Sequence, residues 1–247
     1  MALRAKNVIH RGLRAVGFDV VRWPASSDLG VHLVELMREL RINCVLDVGS
    51  HVGLYGQFLR DIGYRGRIVS FEPVTRNFEL LSARARADVE WRVVQCAIGR
   101  RAGTATINVT AHPGMESLLE LTEAAQRHHG ATVALEDREE VTIQRLDGGI
   151  LDDHLADLEE PRILLKSDTQ GFDLEVVRGA ADILERIPGL QLELSLRVSY
   201  VGAAGLTDAL AELGDLGYVP TGIFSGYRDK RLRLFEVDCV FRREVTG

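Results

Sequence analysis

The chain has 247 residues, 30 Lys and Arg against 36 Asp and Glu, and a formal net charge of −6. That length suits one large domain, or two small ones, with a core that needs no staples. The acidic balance argues against a dedicated nucleic-acid binder, whose footprint is basic. Cys44, Cys96 and Cys239 stand far apart in apolar runs without CxxC spacing, which points to neither a disulfide framework nor a zinc site and fits a reducing cytoplasm.

Residues 1–40 read as a helical extension. Leu3, Val8, Ile9, Leu13 and Val16 follow rough helical spacing among Arg4, Lys6, Arg11 and Arg14, a stripe suited to packing on the domain or to lying on a membrane surface. No apolar run there is long enough for a signal peptide or a spanning helix. Residues 41–247 read as one domain, with no repeat or Pro/Ser-rich linker to divide it.

Within it, short β-rich runs alternate with helical patterns. Strand 44–48 precedes helix 54–62, strand 67–71 precedes helix 77–87, and strand 91–95 follows. Strand 163–166 precedes helix 174–184, and strand 190–196 precedes helix 207–216. This rhythm predicts an α/β fold, a mostly parallel sheet with helices on both faces. Two segments depart from it: alternating stretches at 104–110 and 140–145 predict an antiparallel insertion near 104–145, and strands 218–224 and 234–241 predict a closing antiparallel pair.

Ligands of such sheets sit beyond the carboxyl ends of the strands. In VLDVGSHVGLYG, Asp47 and Gly49 end the first strand, and Gly49 and Gly53 let the turn approach a ligand and the next helix pack closely. A tight turn capped by Ser50 reads from the same residues, and His51 stands where a dinucleotide fingerprint would place another glycine. Glu72, followed by Pro73, ends the second strand 25 positions after Asp47. That is near the spacing of about 20 at which a carboxylate meets ribose hydroxyls, and a carboxylate can accept both bonds of a vicinal diol.

Small Cys96 and Ala97 leave room for a flat base, or simply end a strand. In ILLKSDTQGFD, Lys166, Asp168 and Gln170 crowd a strand end with more polarity than a turn requires. Glu193, inside LQLELSL, needs a partner because a lone buried carboxylate is costly. Met115, Glu116 and Ser117 could cover a cofactor or acceptor, and His112, His128, His129, Tyr227 and Arg228 could touch the acceptor.

Together VLDVGSHVGLYG, IVSFEPVTRNFELL, VVQCAIGRRAGTATI, ILLKSDTQGFDLEVVRGA and LQLELS resemble the FkbM family of S-adenosylmethionine-dependent methyltransferases. The resemblance implies a class I methyltransferase fold, Rossmann-like, with seven strands of which the last is antiparallel. It places Asp47, Gly49, Ser50 and His51 along the methionine part of the cofactor, with Gly53 in the same turn. Glu72 with Pro73 falls at the ribose and Cys96 with Ala97 at the adenine, and Asp168 is a further candidate cofactor contact. The family often has Asn near Ser50 and His51, and commonly D-x-E-G where this chain has D-T-Q-G, so a role needing charge at Gln170 is closed to it.

Transfer of a methyl group to a neutral hydroxyl calls for a base or a metal beside the sulfonium. Asp168 is the candidate base, Lys166 its tuning cation, Glu193 a second candidate, and Gln170, Ser117, Tyr227 and Arg228 candidate acceptor contacts. Asp168 and Glu193 could instead share Mg²⁺. The expected reaction is O-methylation of a sugar, glycolipid or polyketide-type metabolite by a cytoplasmic enzyme, possible as a homodimer. Two other readings stay open here: an NAD-dependent oxidoreductase, although the first turn lacks G-x-G-x-x-G, and a non-catalytic binding protein on this fold.

Overall fold

A computed structural model describes residues 28–110 and 114–244, except the side chains of 129, 131 and 132. The basic N-terminal stripe, His112 and the side chain of His129 therefore lie outside the described residues.

Helix α1 (Leu29–Glu39) begins at Asp28, whose carboxylate accepts from the Gly30 and Val31 amides, a side-chain cap for otherwise orphan donors. It leads into β1 (Cys44–Val48), α2 (Leu54–Asp61), β2 (Arg67–Phe71), α3 (Thr75–Ala85) and β3 (Trp91–Val94). A small second sheet follows, of β4 (Ala97–Ile98), β5 (Gly103–Thr110) and, after α4 (Glu123–His129), β6 (Leu135–Gln144). The short α5 (Asp152–Leu155) precedes β7 (Ile163–Ser167), α6 (Asp173–Arg178), β8 (Gly189–Ser195), α7 (Leu206–Asp215), β9 (Tyr218–Ser225) and β10 (Glu236–Arg243).

The main sheet has seven strands in the order β3-β2-β1-β7-β8-β10-β9. β10 runs antiparallel to both its neighbours, and the other pairs are parallel. The predicted alternation and closing pair are both present. The order reverses between β1 and β7, and that switch point opens a crevice beyond the strand ends.

Strand alternation sorts side chains between two cores. Cys44, Leu46 and Val48 of β1 join Val69, Phe71, Leu165 and Leu192 on one face; Val45 joins Ile68, Leu164 and Val240 on the other. Leu33, Leu36, Met37 and Leu40 pack into that second core, each such burial stabilising by roughly 1.5–3 kcal/mol. Helix α1 is thus part of the domain's packing rather than an appendage to it.

Two predicted elements differ from those observed. β6 begins at Leu135, five residues before the expected 140, because its first half is exposed on both faces and carries no apolar alternation. The helix expected over 174–184 breaks after Arg178 and resumes as a 3₁₀ turn, Ala181–Arg186. Between them, Gly179 lies so close to the Gly99 carbonyl that a Cβ would fall 2.4 Å from its oxygen.

Candidate functional site

Beyond the ends of β1, β2 and β7, under the small sheet, lies an open-mouthed cleft. Gly49, His51, Glu72, Pro73, Cys96, Ala97, Ser117, Asp168 and Gln170 all line it. These residues span more than a hundred positions of sequence and converge on one cavity.

The first turn is unusual in its backbone. Gly49, His51 and Gly53 take φ of 73°, 48° and 81°, the left-handed region favoured by glycine and, among other residues, by Asn, Asp and His. A Cβ on Gly49 would lie 2.0 Å from the Asp168 carbonyl oxygen, so the turn passes directly over the β7 exit. The His51 amide donates to Glu72 Oε2 at 2.8 Å, and the Val74 amide to Oε1 at 3.0 Å. Each oxygen keeps further accepting capacity. Burial pushes the Glu72 carboxyl up to about 7, against the amides that favour its ionised form, whereas burial holds the His51 ring below its ordinary value.

Next to Glu72, the cleft wall turns apolar through Cys96, Ala97, Ile98, Ile107 and Leu118. Burial raises the Cys96 thiol to about 12, so it stays neutral. Glu116, from the insertion, reaches the same cleft with its side chain only 7 % exposed. Its Oε1 has no hydrogen-bond partner among the described residues, and Arg76 stands 3.9 Å away.

On the other side, Asp168 offers a carboxylate that is 38 % exposed. Gln170, at φ 54°, donates through Nε2 to Asp168 Oδ1 at 3.1 Å and to Glu193 Oε2 at 2.9 Å, and accepts from Tyr200 at 2.8 Å. Ser117 Oγ donates to the Gln170 carbonyl at 2.9 Å. The Gln170 amide thus donates both its N–H groups to carboxylates inside the protein, and Gln170 also lines the cleft, where substrate positioning was expected. Glu193 is half-buried and does not line the cleft. Burial and the neighbouring charges of Asp168, Glu236 and Asp173 raise its carboxyl well above the ordinary range. For a shared Mg²⁺ the donor set does not fit, because an amide nitrogen bridges the two carboxylates. No group of three or more His, Cys, Asp or Glu among the described residues is placed to hold a metal.

Other expected contacts stand behind the cleft. Asp47 is fully buried, 3.1 Å from the Lys166 ammonium and accepting from Ser70, which accepts in turn from Trp91. Ser50 donates to the Asp47 and Phe71 carbonyls, and Gly53 packs against Leu81. Lys166 also donates to the Gly49 carbonyl at 3.2 Å and lies 5.1 Å from the Tyr55 ring centre. Burial disfavours its charge, but Asp47, Asp168 and Glu193 more than reverse this and leave it well above its ordinary value. Asp47, Ser50, Gly53 and Lys166 thus carry the turn from beneath, and none of them lines the cleft. Nor do Tyr227 and Arg228, which are exposed on the last loop.

Three functional neighbours were not expected. Asp173 locks the β7 exit by accepting from Ser167 Oγ, the Thr169 amide and the Gly171 amide. Asp238 holds Gln191, which accepts from Tyr55. The reasoning that singled out Glu193, a carboxylate inside an apolar strand, also selects Asp238. Tyr200 carried no comparable signal, since only the fold brings its loop to Gln170.

A seven-stranded sheet of this order, with an antiparallel last strand and an acidic residue closing β2 beside the cleft, defines the class I methyltransferase architecture. The methyltransferase FkbM domain model matches residues 47–220, and the chain belongs to the FkbM family of S-adenosylmethionine-dependent methyltransferases. No curated protein matches it. Among solved structures it is similar to an rRNA methylase from Streptococcus thermophilus (10 % identity, 89 % of this chain, 99 % of that one, TM-score 0.47). It is also similar to magnesium protoporphyrin IX methyltransferase from Synechocystis with bound SAM (11 %, 96 %, 91 %, 0.44). Aeropyrum pernix fibrillarin bound to S-adenosyl-L-methionine is a further match (14 %, 81 %, 66 %, 0.43). Similarity at this level says nothing about the acceptor.

Proposed function

We propose that the protein transfers a methyl group from S-adenosylmethionine to a hydroxyl of a sugar, glycolipid or polyketide-type metabolite, with Asp168 as the base. One observation carries this reading: Asp168 is the partly exposed carboxylate at the end of β7, held from behind by Lys166 at 3.8 Å and from the side by Gln170. In this reading Glu72 receives the ribose hydroxyls, the apolar wall from Cys96 to Leu118 receives the adenine, and the turn at Gly49 and His51 receives the methionine end. When bound, the cofactor supplies the methyl group on its sulfonium; the protein's part is binding, orientation and proton removal.

A carboxylate fixed at two points accepts the hydroxyl proton at the atom facing the acceptor, and holding both reactants in near-attack geometry supplies several kcal/mol more. The proposal invokes no metal. A second cavity, which shares Ser117 with the cleft, is lined by polar Asn108, Thr110, Gln126 and Tyr200, by charged Glu120 and Arg138, and by Leu119 and Leu121. Such a mixture suits a polyhydroxylated acceptor with apolar faces. Among the described residues no helix is long and apolar enough to cross a membrane.

The test is transfer of labelled methyl from S-adenosylmethionine to candidate hydroxyl acceptors. Asp168→Asn is expected to lower kcat by about 10²–10⁴ while calorimetry finds the cofactor still bound. Full turnover in that variant overturns the assignment.

A further inference from the structure

We infer that the pocket built on Phe235 binds a phosphate ester, the anionic end of the methyl acceptor. This rests on the acceptor reading above but on different residues. Phe235, at the entry to β10, is 8 % exposed. The Arg197 guanidinium lies 5.7 Å from its ring centre and that of Arg233 5.8 Å, while His128 stacks on it at 4.4 Å with 21° between planes. With Arg127 and Ser199 these side chains line one open pocket.

Two features point to an anion. Arg233 already gives its Nε and one Nη to Asp229, whereas Arg197 presents beside the ring a planar fork of N–H donors, the geometry that matches phosphate. The charges also converge with too few carboxylates to balance them. Arg233 pairs with Asp229 at 2.7 Å and Arg127 with the exposed Glu123 at 3.2 Å, but Arg197 makes no ion pair among the described residues. The adjoining loop adds Arg228, Lys230 and Arg231, all exposed, in a chain whose net charge is −6. Like charges gathered on one ring repel unless an anion joins them.

Position ties the pocket to methyl transfer. Ser199 lines it, and the next residue, Tyr200, bonds Gln170 in the cleft. The Phe235 carbonyl accepts from the Leu196 and Arg197 amides, just beyond the strand that carries Glu193. A phosphate held on this pocket is kept away from the carboxylates gathered around Asp168, which would repel it.

The experiment is calorimetry on the full chain with inorganic pyrophosphate at constant ionic strength, alongside S-adenosylmethionine, for the native protein, Arg197→Glu and Arg197→Lys. Pyrophosphate is expected to bind the native protein and Arg197→Lys. In Arg197→Glu its binding should weaken about tenfold or more with cofactor binding unchanged, which also shows that the variant is folded. Equal binding by Arg197→Glu, or none by the native protein, overturns the inference. So does Arg197-dependent binding of phosphatidylglycerol vesicles without pyrophosphate binding, which makes the patch a membrane surface. Loss of cofactor binding by the native protein strikes instead at the methyl-transfer reading.

Discussion

The Lys166 ammonium and the Asp47 carboxylate, 3.1 Å apart and both almost wholly buried, form the ion pair beneath the first turn. In register, Asp47 stands between Ser70 and Lys166, and Lys166 stands beside Gln191. A polar row therefore crosses β2, β1, β7 and β8, one residue behind the ends of the first three. Its position explains how a Gly-poor turn keeps its shape: the Gly49 carbonyl is held by Lys166, not by a further glycine.

Removing one partner of that pair strands the other. Lys166→Met is expected to destabilise the fold by roughly 3–5 kcal/mol, read by urea denaturation. The double variant with Asp47→Asn should recover much of the loss. Additive losses in the double variant would show that the two charges do not act as a pair.

Cofactor affinity should depend on pH through Glu72. Its carboxyl is raised from 4.5 to about 7, so its contribution to folding stability is complete below 4.5 and is lost as pH rises through 7. In the proposed reading binding has the opposite sign, because ribose hydroxyls would donate to the ionised form. Affinity for S-adenosylmethionine should fall about tenfold per unit as pH drops below 7, and Glu72→Gln should bind weakly with that dependence removed. Calorimetry from pH 5.5 to 8.5 measures both.

Gln170 combines a left-handed backbone with three side-chain bonds. Gln170→Gly keeps the conformation and loses the bonds, leaving the half-buried Glu193 without its amide donor at a cost of about 1–3 kcal/mol. Gln170→Ala loses the same bonds but keeps the backbone strain of roughly 1–2 kcal/mol that Gln170 itself carries and glycine relieves. Both should lower kcat more than they raise KM, because Asp168 loses a positioning contact while the cofactor wall is untouched. A change confined to KM would return Gln170 to a substrate-binding role.

At His51 the backbone supplies the bond to Glu72. His51→Asn and His51→Gly suit a φ of 48° and should leave melting temperature and cofactor affinity close to native. His51→Val, a β-branched residue poorly suited to that conformation, should lower both. A large affinity loss in His51→Asn would assign the contact to the imidazole ring.

Periodicity and strand-end chemistry carried much of this protein. Alternating short apolar runs and helical stripes specify a parallel sheet, because each pattern buries only when folded into its own element. Glu72 and Asp168 were legible as cleft residues because each directly follows a strand of the main sheet, and ligands gather there. Glu193 was legible only as a carboxylate needing a partner. Its partner, Gln170, sits 23 positions away on another strand exit.

Tertiary structure decided which polar strand-end residues face the cleft and which support it. Asp47 and Gly49 are two residues apart, yet the first points into the α1 side of the sheet and the second forms the cleft floor. A strand's alternation assigns faces only once its neighbours are in place. Assembly of the Phe235 pocket likewise required three segments, 127–128, 197–199 and 233–235, to meet. Sequence determines which chemistry a residue can perform; register and packing determine which residues perform it together, because burial and hydrogen-bond partners exist only in the folded chain.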